Sequence, residues 1–411
     1  MQDLDQLFID GALFADQLTW HDTLKELRAN SPIVHVEAEG YQPFYALTRH
    51  EDILSVERQP NIFANTLSAV LEPIASFEQR QASGLSIKTL IHMDGHEHHA
   101  YRGVTEQWFR ASQIAALETR VQSLATAALD VMSAAGGSCD FMVDIARPFP
   151  LHVIMSILGV DPSDERRMMR LTQELFSPTD PELGRDEGTT DAVMEVLLDF
   201  FTYFQAMTAN RRQHPGDDLA TVIATGTVDS EPLGDLETVS YYTLVATAGH
   251  DTTSYSLAGG MLALLQNPEQ LQMLRDDRSL IPNAVDEMIR WSSPVRQFTR
   301  TATQDTCVSG VDIAEGEMLL LSYPSGNRDE AVFSEPFLFD VQREHADKHL
   351  AFGFGRHFCL GASLARMELR IFLEEFLDRV SNIQLDGEAS WSHSSFVSGV
   401  KHLPVRYEMA Q

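Results

Sequence analysis

The sequence predicts a mainly α-helical protein with a smaller β-rich part. Helical periodicity of apolar residues runs through most of residues 94–292 and returns at 359–380. Apolar and polar residues instead alternate in 295–323, which predicts strands, and shorter β-rich stretches are expected at about 33–50 and 385–408. The 411 residues, 44% of them hydrophobic, can bury a large core. No linker divides them, so we expect a single domain over residues 1–411.

The N-terminal part combines a hairpin, a helix and a long loop. Residues 40–50 mix aromatic and β-branched side chains, which favours a short hairpin, and residues 51–58 are predicted to be helical. Residues 66–92 show weak periodicity, so we expect a long loop with at most one short helix, and such loops are often functional. Asp94 is a suitable N-cap for the helix that follows from His96.

A succession of helices is predicted for the central part. They are expected near residues 113–135, 144–158, 163–176, 188–212, 217–225, 236–266 and 281–292. The segment 236–266 would be about 45 Å long if it were wholly helical. It is apolar on most sides yet polar in its middle, which predicts a helix buried at the centre of the protein. Strands with turns at Ser309-Gly310 and Glu315-Gly316 follow, and a loop at 324–355 then leads to the last helix.

Charge and composition narrow the possible functions. Thirty basic and sixty acidic residues give a net charge of −30, which disfavours binding to nucleic acid or to an anionic membrane. The three cysteines, Cys139, Cys307 and Cys359, are too scattered for a disulfide framework or a zinc site. We find neither a signal-peptide pattern nor an apolar run as long as a membrane span. We therefore expect a soluble cytoplasmic protein with no membrane or nucleic-acid partner.

The sharpest chemical signal is the run FGFGRHFCLG, residues 352–361. Cys359 is predicted to lie at the start of a helix, where unpaired N–H groups and the macrodipole stabilise a thiolate and lower the thiol pKa. A thiolate is a good nucleophile and a good soft metal ligand. Gly353 and Gly355 would let the backbone approach a flat group, and Phe352 would help to keep water from the sulfur.

This run resembles the haem-thiolate loop of the cytochrome P450 superfamily, F-G-x-G-x-H-x-C-x-G. The resemblance covers nearly the whole chain, including GYQPFYALTRHEDI and SYPSGNRDEAVF, and is closest to bacterial monoterpene hydroxylases of the α-terpineol type. It implies the P450 fold, a triangular prism in which haem lies between a long central helix and the helix after the cysteine. Cys359 would then be the axial ligand of haem b, with Phe352 and Gly361 also contacting the cofactor.

The resemblance also implies an activity. A soluble bacterial class I enzyme would insert one oxygen atom from O2 into a C–H bond of a small apolar substrate. The electrons would come from NAD(P)H through a reductase and an iron–sulfur ferredoxin. We expect the protein to be a monomer.

A second motif, AGHDTT at residues 248–253, lies midway along the predicted central helix. Gly249 lacks a side chain, and the Thr252 hydroxyl can bond the carbonyl of Ala248, so a local groove can open. By the resemblance, Ala248 and Gly249 contact the haem there. Thr252 would hydrogen-bond dioxygen, and Asp251 would relay protons from solvent.

Further residues match the family at other positions. His98 and Arg102 are four residues apart and share a helix face; with Arg300 and His357 they resemble the donors that bind the haem propionates. His98 and His99 diverge on a helix, which disfavours a separate metal site in HEHH. The pattern E-x-x-R resembles part of a buried structural triad, whose members here are Glu287, Arg290 and Arg343.

Two surfaces are inferred from the resemblance. The substrate-facing residues are all apolar and are expected to be Leu244, Val245, Ala248, Val295, Phe298, Phe396 and Val397. They favour a monoterpene or an alkyl-substituted aromatic over a carboxylate substrate. Basic residues near the cysteine form the expected ferredoxin-docking patch: Arg110, Lys348, Arg356 and Arg366.

Several alternatives remain at the level of sequence. A haem protein could bind or sense a ligand without turnover, although a sensor has no need of the pair Asp251 and Thr252. A hydroxylase of fatty acids or steroids, a peroxide-driven or nitric-oxide-reducing relative, and a non-haem thiol enzyme are the others. No histidine is placed as an obvious base for Cys359, which disfavours the last.

Overall fold

The computed structural model describes residues 4–66, 68–83, 88–185 and 190–410. The α-helices in these ranges are α1 (Leu4–Leu7), α2 (Gly11–Ala15), α3 (Gln17–Asn30), α4 (His50–Glu57), α5 (Ile74–Ser83), α6 (Gly95–Glu106), α7 (Ala111–Ala116), α8 (Glu118–Ala135), α9 (Pro148–Leu158), α10 (Glu165–Phe176), α11 (Thr190–Gln213), α12 (Leu219–Ala224), α13 (Asp235–Ala248), α14 (Asp251–Gln266), α15 (Pro268–Asp276), α16 (Ile281–Ser292), α17 (Tyr323–Gly326) and α18 (Ala362–Arg379). A mainly α-helical fold with a smaller sheet part is thus confirmed.

The strands form one larger sheet and several small ones. They are β1 (Ile33–Val36), β2 (Phe44–Leu47), β3 (Phe63–Ala64), β4 (Ser138–Asp140), β5 (Thr227–Val228), β6 (Glu231–Pro232), β7 (Gln297–Ala302), β8 (Thr306–Val308), β9 (Val311–Ile313), β10 (Met318–Ser322), β11 (Val380–Leu385), β12 (Ser390–Trp391), β13 (Val400–His402) and β14 (Pro404–Met409). The larger sheet has the order β1-β2-β10-β7-β3, with β2 and β10 parallel and the other neighbours antiparallel. β7 therefore lies inside a sheet, where its side chains are held firmly.

The main core lies among the helices. α14 is buried on most of its faces, with Leu257, Met261 and Leu264 fully inaccessible to solvent, as predicted for a central helix. α9, α15 and α16 each begin with proline in the first turn, where the missing N–H would be unpaired in any case. Within the residues that the structure describes, no helix combines the length and the apolar character needed to cross a membrane.

Three local predictions differ from the structure. The segment 236–266 is two helices, α13 and α14, with a break at residues 249–250. α18 begins at Ala362, so Cys359 lies in the turn before the helix and not at its first residue. Asp94 precedes α6 but makes no side-chain cap, because its Oδ2 instead accepts the N–H groups of Asn65 and Thr66 at 2.8 Å. Tertiary partners outcompete the local one in that last case.

The predicted loop at 66–92 contains α5 and a 3₁₀ turn at Leu90–His92. Residue 67 and residues 84–87 of this prediction lie outside the described residues.

Candidate active site

One large cavity lies between the break of the central helix and the loop before α18. The predicted site residues that line it are His98, Arg102, Leu244, Val245, Ala248, Gly249, Thr252, Val295, Phe298, Arg300, Phe352, His357, Cys359 and Gly361. These residues come from elements far apart in the sequence. The structure thus gathers in one space the side chains assigned separately to a cofactor, to dioxygen and to a substrate.

The first wall of the cavity is the loop that carries Cys359. The backbone N–H of Cys359 donates to the carbonyl of Phe352 at 2.9 Å, which closes the loop around the sulfur. Gly353 and Gly355 have φ angles of 66° and 68°, a conformation that residues with a side chain rarely adopt. The loop therefore holds its shape through its backbone.

The thiol of Cys359 is exposed to the cavity. Burial within the protein raises its pKa, while the backbone N–H groups of Gly361 and Ala362 and the guanidinium of Arg102 oppose that effect. The predicted lowering of the thiol pKa is therefore wrong for the metal-free protein, because desolvation outweighs the helix start. A bound metal ion would displace the thiol proton, since the thiolate is the ligand.

Basic and imidazole side chains gather along one edge of the cavity. The rings of His98 and His357 lie 4.2 Å apart between centroids, and Arg102 follows His98 by one turn of α6. Arg300 enters from β7 and is 3% exposed. Burial and the nearby positive groups lower the pKa of His98 to about 4, so at neutral pH it would act as an uncharged donor.

Two carboxylates stand behind these donors. Asp94 Oδ1 lies 3.6 Å from His357 Nε2; burial acts to raise the pKa of Asp94, but hydrogen bonds from His357 and Thr66 lower it to about 2. Glu57 Oε1 lies 3.2 Å from Arg300 Nη2, and burial raises the pKa of Glu57 to about 7. Sequence reasoning missed Glu57, because one more acidic residue in an acidic protein carries no signal.

The opposite wall is the break between α13 and α14. His250, inside the break, has φ −102° and ψ −80°. A Cβ on Gly249 would lie 2.9 Å from Ile154, so a larger residue would push these helices apart. Thr252 Oγ1 donates to the carbonyl of Ala248 at 2.8 Å, the contact that the sequence predicted. This wall is therefore open backbone with one hydroxyl group.

Asp251 does not line the cavity but lies just behind this wall. It is 2% exposed, and within the described part of the chain its Oδ1 has no hydrogen-bond partner. His250 Nδ1 lies 3.4 Å from that oxygen, and His250 Nε2 lies 3.2 Å from the carbonyl of Arg147. A carbonyl only accepts, so Nε2 carries the proton. Burial raises the pKa of Asp251 against the effect of His250 and Arg147, which favours a carboxyl group that holds a proton.

Glu287, Arg290 and Arg343 meet in a separate buried cluster. Arg290 Nε donates to Glu287 Oε2 at 2.6 Å, and Arg343 Nε donates to both carboxylate oxygens at 3.0 Å. The two guanidinium groups also donate to loop carbonyls, including those of Asn327 and Leu338. The cluster ties α16 to the long loop that leads to the cysteine.

The predicted substrate residues fall into two groups. Leu244, Val245, Ala248, Val295 and Phe298 line the cavity. Phe396 and Val397 are absent from that lining and the prediction is corrected for them. Phe396 packs edge-on against Phe298 at 5.5 Å between ring centroids, and Val397 pairs with Val295 in an isolated β-bridge. They form a second layer that supports the wall.

The structure adds lining residues that sequence reasoning did not name. The apolar and aromatic ones include Leu90, Ile91, Phe109, Ile154 and Tyr241. Leu90 and Ile91 belong to the stretch 66–92, whose weak periodicity and length were the only available signal. Tyr241 carried none, because an aromatic residue within an apolar helix is typical of any core.

The predicted docking residues also divide. Three are exposed: Arg110, Lys348 and Arg356. Arg366 is only partly exposed: its Nε donates to Asp286 Oδ1 at 2.7 Å, and its guanidinium lies 4.7 Å from the ring centroid of Phe352. Arg366 therefore supports the cysteine loop from inside, which corrects its assignment to the docking surface.

These walls suit a thiolate-ligated haem. Cys359 offers a soft sulfur ligand at one wall, and the donors His98, Arg102, Arg300 and His357 offer charge-assisted or neutral hydrogen bonds for two carboxylates at one edge. The opposite wall carries no bulky side chain at Gly249. Elsewhere in the described ranges, no cluster of three or more histidine, cysteine or acidic side chains could hold a separate metal ion.

Comparisons with known proteins agree with this site. A family profile described as Cytochrome P450 matches residues 72–393. Cytochrome P450-terp of a Pseudomonas species is 38% identical over 97% of this chain and 95% of its own. A steroid C26-monooxygenase of Mycobacterium tuberculosis is 34% identical over 92% of this chain and 98% of its own. The crystal structure of CYP108D1 from Novosphingobium aromaticivorans has a TM-score of 0.91 and 38% identity, covering 99% of this chain and 98% of that one.

Proposed function

The chain belongs to the cytochrome P450 family of haem-dependent monooxygenases, and from that premise we propose that it hydroxylates a monoterpene or an alkyl-substituted aromatic. The observation that carries this proposal is the apolar wall beside Thr252, made by Leu244, Val245, Val295 and Phe298. Such a wall holds its ligand mainly by burial of apolar surface, worth about 25 cal/mol per Å². The similarity to Cytochrome P450-terp supports the same choice.

The reaction takes one O2, two electrons and two protons, and yields the alcohol and one water. Haem held by Cys359 would supply the centre at which O2 is reduced and the C–H bond is oxidised. The chain's own residues bind that cofactor, exclude water from the substrate and deliver the protons. We assign cofactor binding to the donors His98, Arg102, Arg300 and His357.

Proton delivery is assigned to Asp251 and Thr252. Burial favours the protonated form of Asp251, so this carboxyl can hold a proton close to the break. Thr252 lines the cavity, and because its hydroxyl donates to the Ala248 carbonyl, its lone pairs are free to accept a proton from behind. Asp251 itself does not reach the cavity, so a side-chain rotation or a water molecule has to connect the two.

Substrate class is tested by titrating the purified haem protein with a panel of compounds and recording the shift from low to high spin. The panel contains monoterpenes, alkylbenzenes, a steroid and a fatty acid. We expect the first two classes to give the largest shifts and the tightest binding. In Phe298→Ala those shifts should weaken, since about 1–3 kcal/mol of apolar burial is removed. Shifts from the fatty acid alone would contradict the proposal.

A steroid is the second candidate. The 34% identity to a steroid C26-monooxygenase over nearly its whole length favours it. A shift by the steroid with none by the terpenes would establish this alternative over the first.

We propose that an iron–sulfur ferredoxin delivers the electrons to the face around Arg110, Lys348 and Arg356. These cations are exposed on a chain whose net charge is −30, so they would steer an acidic partner locally. Reversing Lys348 and Arg356 to glutamate should raise the Kd of the ferredoxin several-fold at low salt and leave the substrate-induced spin shift unchanged. The matched control is Arg170→Glu on α10, whose side chain is 63% exposed. An equal effect of both changes would count against this face.

A further inference from the structure

Glu57, the last residue of α4, is a titratable group of the cavity that the proposed reaction does not use. It lines the cavity and is 5% exposed. Its Oε1 accepts the Tyr323 hydroxyl at 2.9 Å and Arg300 Nη2 at 3.2 Å. Its Oε2 has no hydrogen-bond partner among the described residues. A buried carboxylate oxygen in that condition is costly unless a donor or a proton reaches it.

The position of Glu57 is held by the cysteine loop. A Cβ on Gly355 would lie 2.9 Å from the Glu57 carbonyl oxygen, and one on Gly353 would lie 3.4 Å from Glu57 Oε1. The end of α4 is therefore pressed against the loop that carries Cys359. The side chain cannot move away from the cavity without disturbing that loop.

The groups that face Glu57 come from three elements. Arg300 of β7 and Tyr323 of α17 contact its carboxylate, and the loop contributes the N–H of Phe354; all three favour the ionised form, yet burial raises the pKa of Glu57 to about 7. His357 is the next titratable group, and it faces Arg300. One guanidinium thus serves as the only cation in contact with this carboxylate among the described residues.

Arg300 is also one of the donors assigned to a haem propionate. A propionate at Arg300 would place a second carboxylate on the guanidinium that already holds Glu57. Two carboxylates that share a site cannot both ionise readily, and one of them keeps a proton. The free Oε2 of Glu57 is an available place for that proton.

We propose that Glu57 and the haem propionate bound by Arg300 hold one proton between them, which makes Glu57 an additional hydrogen-bond donor to the cofactor and a positioning residue for it. The inference rests on the assignment of Arg300 to a propionate and not on the identity of the substrate. Its first consequence is electrostatic. Reduction of the iron adds one negative charge, so the protonated state favours the reduced form and the potential rises as the pH falls.

The test is the potential of the substrate-free haem protein, measured by spectroelectrochemistry from pH 6 to pH 9. The wild type should show a potential that falls with rising pH. In Glu57→Gln the amide cannot ionise, and the propionate then has Arg300 to itself, so the slope should largely disappear. The matched control is Glu51→Gln, the same change on α4 at a side chain that is 73% exposed, and it should keep the wild-type slope. A slope that survives in Glu57→Gln, or no slope in the wild type, would overturn the proposal.

Two further measurements keep the proposal testable if Glu57→Gln binds haem poorly. Tyr323→Phe removes a hydrogen bond to the ionised carboxylate, so the midpoint of the pH dependence should move to higher pH; an unmoved midpoint would contradict the shared proton. Glu57→Ala removes the donor altogether. Its haem should transfer to an acceptor apoprotein several-fold faster than haem from the wild type, and an unchanged rate would contradict the role as donor.

Discussion

The two walls of the cavity are built on opposite principles. On the cysteine side, the loop is closed by a backbone hydrogen bond from Cys359 to Phe352, and its support, the Glu287 cluster, pairs its charges fully. On the threonine side the central helix is broken, and Asp251 Oδ1 and His250 Nδ1 have no hydrogen-bond partners among the described residues. Unsatisfied buried groups are rare and concentrate at functional sites. One wall is therefore made to stay in place and the other to exchange protons.

The largest effect is expected from removing the sulfur of the fixed wall. Cys359→Ala should abolish the thiolate-type spectrum of the reduced carbon-monoxide complex, and with it monooxygenase turnover, because the ligand itself is lost. Cys307→Ala, which removes an exposed thiol, is the control and should leave both unchanged. A spectrum that is unaltered in Cys359→Ala would refute the assignment of the axial ligand.

The next effect tests whether the fixed wall depends on its buried charges. Glu287→Gln leaves the guanidinium groups of Arg290 and Arg343 buried without a countercharge, which should cost about 3–5 kcal/mol of unfolding free energy. Urea unfolding of the haem protein measures this. Asp378→Asn removes an exposed partner of Arg278 and should cost less than about 1 kcal/mol. Similar losses in both variants would mean that the cluster is no special support.

On the threonine wall, Asp251→Asn should slow turnover and leave structure intact. The amide cannot hold and release the proton, and proton transfer by a positioned group is worth about 10²–10⁴-fold in rate. We expect a loss of about 10²-fold in NAD(P)H consumption with an unchanged spin shift on substrate binding. Glu374→Gln, at a partly exposed acid on α18, is the control. A rate like that of the control would remove Asp251 from the proton route.

The smallest expected effect concerns the hydroxyl of the same wall. Thr252→Ala should lower the alcohol formed per NAD(P)H several-fold, with hydrogen peroxide taking up the remaining electrons, since protons are no longer placed by a fixed hydroxyl group. Thr252→Ser retains the hydroxyl and should restore much of the product yield. Equal yields in the wild type and Thr252→Ala would show that the hydroxyl is not needed, and the contrast between the walls would then rest on Asp251 alone.

Much of both walls was predictable because their residues are close together in the sequence. The loop at 352–361 and the motif at 248–253 are short runs whose spacing alone indicates their chemistry, and the predicted contact of Thr252 with Ala248 follows from helix geometry. The break itself was harder to place. It depends on the close approach of Ile154 to Gly249, which no local pattern encodes.

The residues that reasoning from sequence missed or misplaced act across long separations. Glu57 reaches Arg300 across 243 positions of the chain, Phe396 lies behind Phe298 and not beside it, and Arg366 is held by Asp286.

Local chemistry, namely which sulfur, which hydroxyl and which helix face, follows from residue type and spacing, since bonded geometry fixes neighbours within a few residues. Protonation, burial and pairing depend on what packs against a group in three dimensions. Folding therefore decided that the Cys359 thiol pKa is raised and that Glu57 shares the cofactor's edge.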